Sequence, residues 1–179
     1  VEETDTVQVG KKILQGKQTQ KVLAFYKPVG VTCTERDPHA EKKIMDMIRY
    51  PERLTYAGRL DKDSEGLILL TNDGDLINAM MRGANRHEKE YIVKTDLDIT
   101  TRECEIEQIG KFTFRIVLTQ GVNRQIRRMC EACGYRVKAL KRIRIMNILL
   151  GDLKPGKWRE ITGEELEQLQ RDTGMLNRN

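Results

Sequence analysis

Aromatic residues and long apolar runs are both scarce in this chain of 179 residues. Phe, Trp and Tyr make up only 5% of the sequence, which disfavours a surface that stacks many bases, as general single-strand binders use. No apolar run approaches the roughly 20 residues of a membrane-spanning helix, and the first residues do not form a basic-then-apolar signal peptide. We therefore expect a cytoplasmic protein that has no membrane partner.

Residues that bind metals are also few, because the chain has two histidines and four cysteines. Cys130 and Cys133 have the CxxC spacing of a zinc or redox site. A zinc site needs four ligands, however, and there is no second CxxC to supply them. Both cysteines also fall on the apolar side of a predicted helix, so we interpret them as small core residues. A CxxC redox or metal protein is the least favoured function, and we expect no metal or cofactor.

Basic residues exceed acidic ones by 32 to 27, and the excess is concentrated in one stretch. Between residues 123 and 145, eight Lys and Arg residues stand against one acid, Glu131. A positive field of this density favours a polyanionic partner, and nucleic acid is the simplest one. Taken alone, a basic run is more commonly a solvated face, so both explanations stay open at this point.

Predicted helices and strands are mixed without regular alternation, which favours an α+β fold with a largely antiparallel sheet and flanking helices. Strands are predicted at 22–26, 54–58, 66–72, 89–95 and 112–119, with a long extended segment at 135–150. Helices are predicted from Asp37 and Pro38 to about Ile48, at 75–82, at 123–133 and after Thr162.

A charged loop, GRLDKDSE, runs directly into the apolar segment GLILL. Gly58 and Gly66 bracket the charges, so we predict a tight turn at the start of a buried strand. Asp61 lies within this turn and can act as a nucleophile or general base if an arginine keeps it ionised. Turn formation is the more common role of an aspartate in such a loop, and it is our interpretation of Asp63.

The predicted helix in GVNRQIRRMCEACG carries two different stripes. Helical spacing gives a buried stripe of Ile126, Met129, Cys130 and Cys133. The neighbouring stripe consists of Arg124, Arg127, Arg128 and Glu131. Guanidinium groups gain nothing from the positive end of a helix dipole, so we expect an anion nearby, and Asp61 is the natural candidate. Ordinary solvation of the helix is the alternative.

These segments resemble the pseudouridine synthases of the RsuA/RluB/RluE/RluF family, from about residue 21 to the C-terminal helix. GRLDKDSEGLILLTNDGDL is similar to the catalytic motif of the family. FYKPVGV is similar to its first motif, in which we take Lys27 and Pro28 as mainly structural. HEKEYIV and GVNRQIRRMCEACGY are similar to its second and third motifs. The run RIRIMNILLGDLKPGKWREIT most resembles the RluF branch of the family.

The resemblance implies the pseudouridine synthase catalytic fold and the isomerisation of uridine to pseudouridine in RNA. The expected substrate is large-subunit (23S) ribosomal RNA, with a tRNA stem-loop as a further one. The reaction needs no cofactor, but the target base must first be flipped out of its stack. We expect the enzyme to act as a monomer.

Roles for individual residues follow from the same resemblance. Asp61 matches the essential aspartate of pseudouridine synthases, Tyr91 the tyrosine that packs against the target uracil, and Arg127 the arginine that pairs with the aspartate. Taken alone, a strand tyrosine such as Tyr91 would be a half-buried core residue. Contacts to RNA are expected from a set of basic residues: Arg59, Lys62, Arg124, Arg128, Lys138, Lys141 and Arg142.

The chain departs from the family at its first residues and at one junction. Family members begin with an alpha-L RNA-binding module, whereas residues 1–20 resemble only the end of one, so we interpret them as its tail or as a linker. Residues 21–179 form the expected catalytic domain. Between DLDIT and RECEIE the family has a longer stretch, and we interpret the junction at Thr100 and Thr101 as a place where residues are missing.

The competing hypothesis from another class is a non-catalytic RNA-binding or ribosome-assembly protein. The basic stretch from 123 to 145 supports it, and such a protein would bind RNA in a salt-dependent way without isomerising it. A pure binder has no need for the aspartate at 61, which favours the enzyme.

Overall fold

The structure, a computed structural model, describes residues 19–33, 43–82, 87–98, 106–119 and 124–174. The strands in these ranges are β1 (Val22–Lys27), β2 (Thr55–Ala57), β3 (Glu65–Thr71), β4 (Lys89–Thr95), β5 (Glu107–Gly110), β6 (Thr113–Leu118), β7 (Val137–Ile145), β8 (Ile148–Leu149) and β9 (Trp158–Glu160). The helices are α1 (Ile44–Met47), α2 (Gly74–Arg82), α3 (Gln125–Ala132) and α4 (Gly163–Asp172). None of these four helices is long and apolar enough to cross a membrane.

The strands join one sheet in the order β9-β1-β3-β7-β4-β6-β5, with β2 beside β3 and β8 beside β7. Among the described strands, neighbours run antiparallel except β3 and β7, which pair in parallel at Glu65–Lys141 and Gly66–Arg142. The predicted α+β class with a largely antiparallel sheet is therefore confirmed. The parallel pair places the start of β3, and so the loop before it, beside the middle of β7.

Gly66 permits this close approach of β3 to β7. Its φ of +117° is one that residues with a side chain rarely adopt. A Cβ atom at this position would lie 2.2 Å from the carbonyl oxygen of Arg142 and 2.6 Å from its backbone nitrogen. Backbone atoms cannot rotate away as a side chain can, so any other residue at 66 would force the two strands apart.

Apolar segments such as VLAFY and GLILL are continuous because both faces of the sheet are covered. Successive side chains of a strand point to opposite faces, so each segment supplies two core clusters. The first cluster contains Leu23, Phe25, Ile68 and Leu70, and α3 joins it through Ile126 and Cys130. The second contains Val22, Ala24, Leu67 and Leu69, and α2 and α4 join it through Leu76 and Leu169.

The long extended segment predicted at 135–150 needs a correction. It is not one strand, because β7 ends at Ile145, the chain turns at Met146 and Asn147, and β8 runs back along β7. Met146 adopts a φ of +54° in this turn. Apolar residues rarely take that conformation, so Met146 itself does not indicate the turn. The strands β5 and β9 were not predicted, whereas β1, β2, β3, β4, β6, α2, α3 and α4 lie where the sequence predicts them.

Some expectations fall on residues outside the described ranges. The helix start at Asp37 and Pro38 is one of them, and the short α1 is what the structure describes nearby, with Ile44 and Ile48 buried. The tail up to residue 18 and the junction at Thr100 and Thr101 also lie outside.

Candidate active site

A cleft of about 710 Å³ opens where the loop before β3, the start of α3 and the strands β4 and β7 meet. The predicted catalytic residues Asp61, Tyr91 and Arg127 all line it. The cleft is also lined by four residues that we expected to bind RNA, namely Arg59, Lys62, Arg124 and Arg142. The other three lie outside the cleft lining: Arg128 and Lys138 are exposed, and Lys141 is half-buried.

The loop from Gly58 to Ser64, here called the aspartate loop, is fixed by its backbone. Gly58 opens it with a φ of +89°, and the Ser64 N–H donates a hydrogen bond to the carbonyl oxygen of Asp61 at 3.0 Å. The Gly30 N–H donates to the carbonyl oxygen of Lys62 at 2.7 Å. Asp61 is thus carried by a turn that is bonded to the turn after β1.

Lys27 fixes the same loop from the interior. Its side chain is buried, and its Nζ donates to the carbonyl oxygens of Val31 at 2.7 Å, Pro28 at 2.9 Å and Lys62 at 3.4 Å. Burial lowers the pKa of Lys27 from 10.5 to about 8, although nearby acidic groups act in the opposite direction. The Lys-Pro pair therefore positions the aspartate loop from beneath.

Asp61 forms an ion pair with Arg124, whose Nη1 lies 3.2 Å from Asp61 Oδ2. The Asp61 side chain is 23% exposed, so the carboxylate remains accessible from the cleft. Arg124 also donates to the two carboxylate oxygens of Asp63, at 3.2 and 3.4 Å. The structure shows this ion pair with Arg124 and not with the predicted Arg127, whose Nη2 lies 3.6 Å from Asp63 Oδ1.

Arg127 holds the end of the aspartate loop instead. Its Nη2 donates to Ser64 Oγ at 3.0 Å and to the carbonyl oxygen of Asp63 at 3.1 Å. The Arg127 side chain is only 12% exposed, and its bond to Ser64 is partly buried, whereas the bond to Asp63 is exposed. Residues three apart near a helix start face the same way, which explains why Arg124 and Arg127 both reach the loop. Arg124 contacts Asp61 and Asp63, and Arg127 contacts the loop one residue further along, at Asp63 and Ser64.

Asp63 does more than form the turn that we predicted for it. Its carboxylate accepts from Arg124 and lies 3.6 Å from Arg127 Nη2. Burial would raise the pKa of Asp63, but the hydrogen bond from Arg124 and the charges of both arginines outweigh burial and lower that pKa. The sequence spacing could have indicated that Asp63 pairs with an arginine, because two carboxylates at 61 and 63 face two arginines at 124 and 127.

Tyr91 is a core residue and part of the cleft wall at the same time. It lies in β4, is 9% exposed and packs in the first core cluster. Lys89 also lines the cleft, although the sequence analysis did not select it. The K-E-Y spacing is the signal for Lys89, because residues i and i+2 share one face of a strand. His87, another lining residue, is bonded through Nδ1 to the carbonyl oxygen of Met80 at 3.0 Å.

Arg142, which we predicted to contact RNA, is buried rather than exposed on the surface. It is 2% exposed, and its Nε donates to the carbonyl oxygen of Leu67 at 2.8 Å. Its Nη1 donates to the carbonyl oxygen of Arg59 at 3.4 Å. The parallel pairing of β3 with β7 places Arg142 beneath the aspartate loop, whereas the sequence shows it as one of several basic residues in an extended segment.

Within the described ranges, no three His, Cys, Asp or Glu side chains come close enough together to hold a metal ion. Cys130 is buried in the first core cluster, and Cys133 is partly buried at the end of α3. Their positions agree with the interpretation of the CxxC pair as part of the core face of a helix.

Residues 21–132 match the family model described as RNA pseudouridylate synthase. Over 92% of its length the chain is 42% identical to the dual-specificity RNA pseudouridine synthase RluF of Escherichia coli K12. Over 96% of its length it is 34% identical to an uncharacterized RNA pseudouridine synthase of Aquifex aeolicus.

A solved structure gives the same result at the level of the fold. A crystal structure of a pseudouridylate synthase superposes with a TM-score of 0.76 at 26% identity, covering 86% of this chain and 75% of that one. The chain spans 63% of the length of the Escherichia coli relative and 80% of the Aquifex relative.

Proposed function

Because the chain belongs to the RNA pseudouridylate synthase family, we propose that it converts uridine to pseudouridine in RNA and that Asp61 carries the reaction. The position of Asp61 is the observation that supports this most. Its carboxylate is paired with Arg124 and lines a cleft that also contains Tyr91. An aspartate placed in this way can act on the sugar of a nucleotide whose base packs against the tyrosine.

The proposed reaction breaks the N1–C1′ bond of uridine, turns the uracil and forms a C5–C1′ bond. The C5 proton leaves and N1 gains a proton, so the isomerisation balances without a redox partner. Asp61 acts at C1′, either as the nucleophile or by supporting departure of the uracil. Tyr91 packs against the flipped base and offsets part of the free energy that unstacking costs.

Exposed basic residues around the cleft support RNA as the substrate. Five of the residues predicted to bind RNA are exposed: Arg59, Lys62 and Arg124 in the cleft lining, and Arg128 and Lys138 outside it. They supply the electrostatic attraction on which phosphate-backbone binding depends. We place the target in large-subunit ribosomal RNA, with tRNA as a second substrate, in line with the dual specificity in the name of the Escherichia coli relative. The enzyme would act in the cytoplasm as a monomer.

Release of tritium from RNA labelled at C5 of uracil tests the proposal. Wild-type protein should release tritium from RNA of cells that lack the gene, and Asp61→Asn should lower the rate by about a thousandfold or more. Asp172→Asn is the matched control, because Asp172 is exposed on α4 and does not line the cleft. The control should keep full activity. Equal rates for wild type and Asp61→Asn would contradict the proposed role of Asp61.

Non-catalytic RNA binding is the second candidate, favoured by the exposed basic residues outside the cleft, Arg128 and Lys138. It predicts an RNA affinity that falls steeply with salt, as phosphate contacts require. It also predicts that no RNA releases tritium. Release from any ribosomal or transfer RNA fraction would therefore reject this candidate.

A further inference from the structure

Arg142 has one donor group that the protein does not use. Its Nε and Nη1 are bonded to the carbonyl oxygens of Leu67 and Arg59. Its Nη2 is buried and has no hydrogen-bond partner among the described residues. A buried donor of a charged group that lacks a partner is costly, so such a group is rarely left unsatisfied in the working state of a protein.

This unused donor lies at the wall of the cleft. Arg142 lines the cleft, and its Nη2 lies 3.9 Å from the point that a Cβ atom at Gly58 would occupy. In the sheet, Arg142 is paired directly with Tyr91 of the antiparallel strand β4. Directly opposed residues of antiparallel strands place their side chains on the same face. The side chains of Arg142 and Tyr91 therefore lie on the same face of the sheet, and both line the cleft.

Two more lining residues carry buried polar atoms without a partner in the described part of the chain. They are Arg127, through Nε, and Gln125, through its amide oxygen. The cleft wall thus offers both donors and an acceptor. A phosphate group has only acceptors to offer, whereas the edge of uracil presents two carbonyl acceptors and an N–H donor between them.

The geometry of Arg142 also argues against a phosphate ligand. Arginine binds phosphate best with two parallel N–H groups of its fork. Here Nε and Nη1 are held by backbone carbonyls, and the residue is 2% exposed. A single remaining donor in a buried position suits one carbonyl oxygen of a flat ligand. Exposed residues such as Arg128 are better placed for the RNA backbone.

We infer that Arg142 Nη2 donates a hydrogen bond to a carbonyl oxygen, O2 or O4, of the target uracil, an inference that rests on the proposed function. When the N1–C1′ bond breaks, its electron pair stays with the uracil, and negative charge spreads onto both carbonyl oxygens. A fixed guanidinium donor beside one of them stabilises this charge in the transition state. Because the same guanidinium binds the Arg59 carbonyl, it also couples the base to the aspartate loop.

Atomic substitution of the uracil tests this assignment. The substrate is a short RNA stem-loop that contains the uridine mapped as the target, with that uridine replaced by 2-thiouridine or 4-thiouridine. Sulfur accepts a hydrogen bond more weakly than oxygen, so one of the two thio substrates should lower wild-type kcat/KM by about tenfold. The affected atom identifies the acceptor as O2 or O4. If neither substitution lowers kcat/KM, the inference is wrong, whatever the behaviour of any variant.

The variant Arg142→Lys distinguishes a substrate contact from a structural role. It should lower kcat/KM on unmodified RNA, and the thio substrate should then cause no further loss, because the two changes remove the same hydrogen bond. Arg144→Lys is the matched control on β7, since its guanidinium pairs with Glu88 and Glu90 and lies outside the cleft lining. This control should remain as sensitive to the thio substrate as the wild type.

The thio substrate could instead lower the kcat/KM of Arg142→Lys by the same factor as that of the wild type. This result would show that Arg142 acts only through the fold. In that case the isomerase activity of the wild type would still support the proposed function. A wild type that isomerises no RNA would overturn both the proposed function and the role of Arg142.

Discussion

Two sets of contacts hold the aspartate loop, one from the helix α3 and one from the sheet, and they differ in burial. Arg124 reaches Asp61 from α3 with a side chain that is 45% exposed. Lys27 and Arg142 reach backbone carbonyls of the loop from the buried interior. Exposed ion pairs contribute about 0–1 kcal/mol each. Losing the partner of a buried polar group costs about 1–3 kcal/mol.

The difference indicates that one set of contacts fixes the position of the loop and the other sets its electrostatic environment. The sheet side fixes where the backbone of the loop lies, because its contacts are shielded from water. The helix side sets the charge around the carboxylates, at the open edge of the cleft. Breaking the sheet side should therefore affect stability and activity together, whereas breaking the exposed Arg124 pair on the helix side should affect mainly activity.

The largest effect is expected at the junction of β3 and β7. Gly66→Ala introduces a Cβ atom 2.2 Å from a backbone oxygen and requires a φ of +117°. We expect the free energy of unfolding to fall by at least about 3 kcal/mol, because overpacking and backbone strain add. Urea denaturation followed by circular dichroism measures the change.

Gly74→Ala is the matched control for this substitution. Gly74 begins α2, has no atom within 4 Å of an added Cβ, and does not have a positive φ. Alanine is favoured over glycine in a helix, so the control should be as stable as the wild type or up to about 1 kcal/mol more stable. Equal stability of the two variants would contradict the close approach of β3 to β7.

The next effect concerns Lys27 and depends on pH. Its pKa is about 8 in the folded protein, compared with 10.5 as its ordinary value. Between these values the unfolded chain holds a proton that the folded protein has lost, so stability rises with pH. The wild type should therefore gain stability relative to Lys27→Met between about pH 8 and pH 10.5.

Parallel urea titrations at several pH values test the Lys27 prediction. Lys154→Met, at an exposed position, is the control for the loss of a lysine as such. A stability difference between wild type and Lys27→Met that stays constant from neutral pH to pH 10.5 would show that Lys27 is not held as described. The variant should also lose activity, because Nζ no longer fixes the Lys62 carbonyl.

The smallest change in stability is expected at Arg124. Arg124→Gln removes the ion pair with Asp61, and the unfolding free energy should change by less than about 1 kcal/mol because the pair is exposed. Activity should nevertheless fall about tenfold, since the charge beside the carboxylate is lost. Single-turnover kinetics and urea denaturation of the same preparation measure both quantities.

The variant Arg127→Gln allows the stability effects of the two arginines of this region to be compared. Arg127 is 12% exposed and bonded to Ser64 and to the Asp63 backbone, so its loss should cost about 1–3 kcal/mol of stability. A stable Arg127→Gln together with a strongly destabilised Arg124→Gln would reverse the roles that the distances indicate.

The sequence was most informative where a residue type had a single physical use. Continuous apolar segments predicted the strands β1 and β3, and the alternating segment predicted β6, because burial of one or both faces produces those patterns. The helical spacing of Ile126 and Cys130 likewise predicted the core face of α3. For Asp61 and Tyr91, family motifs were needed in addition, since an aspartate in a turn and a tyrosine in a strand have common structural roles.

What the sequence did not show depends on long-range pairing. The burial of Arg142 beneath the aspartate loop was not predicted, because it follows from the parallel register of β3 and β7, which connects residues 65–66 with 141–142. Which of Arg124 and Arg127 pairs with Asp61 depends on where α3 begins, because a shift of one helical turn changes the arginine that reaches the carboxylate. Met146 ends β7 in a conformation that its residue type does not favour.

Mapping of pseudouridine in ribosomal and transfer RNA tests the central claim most directly, in cells that lack the gene and in cells that carry it again. We predict that at least one pseudouridine disappears in the deletion strain. It should return with the wild-type gene and with Asp172→Asn, but not with Asp61→Asn. An unchanged set of pseudouridines in the deletion strain, or full restoration by Asp61→Asn, would contradict the account of Asp61 as the catalytic residue of an RNA uridine isomerase.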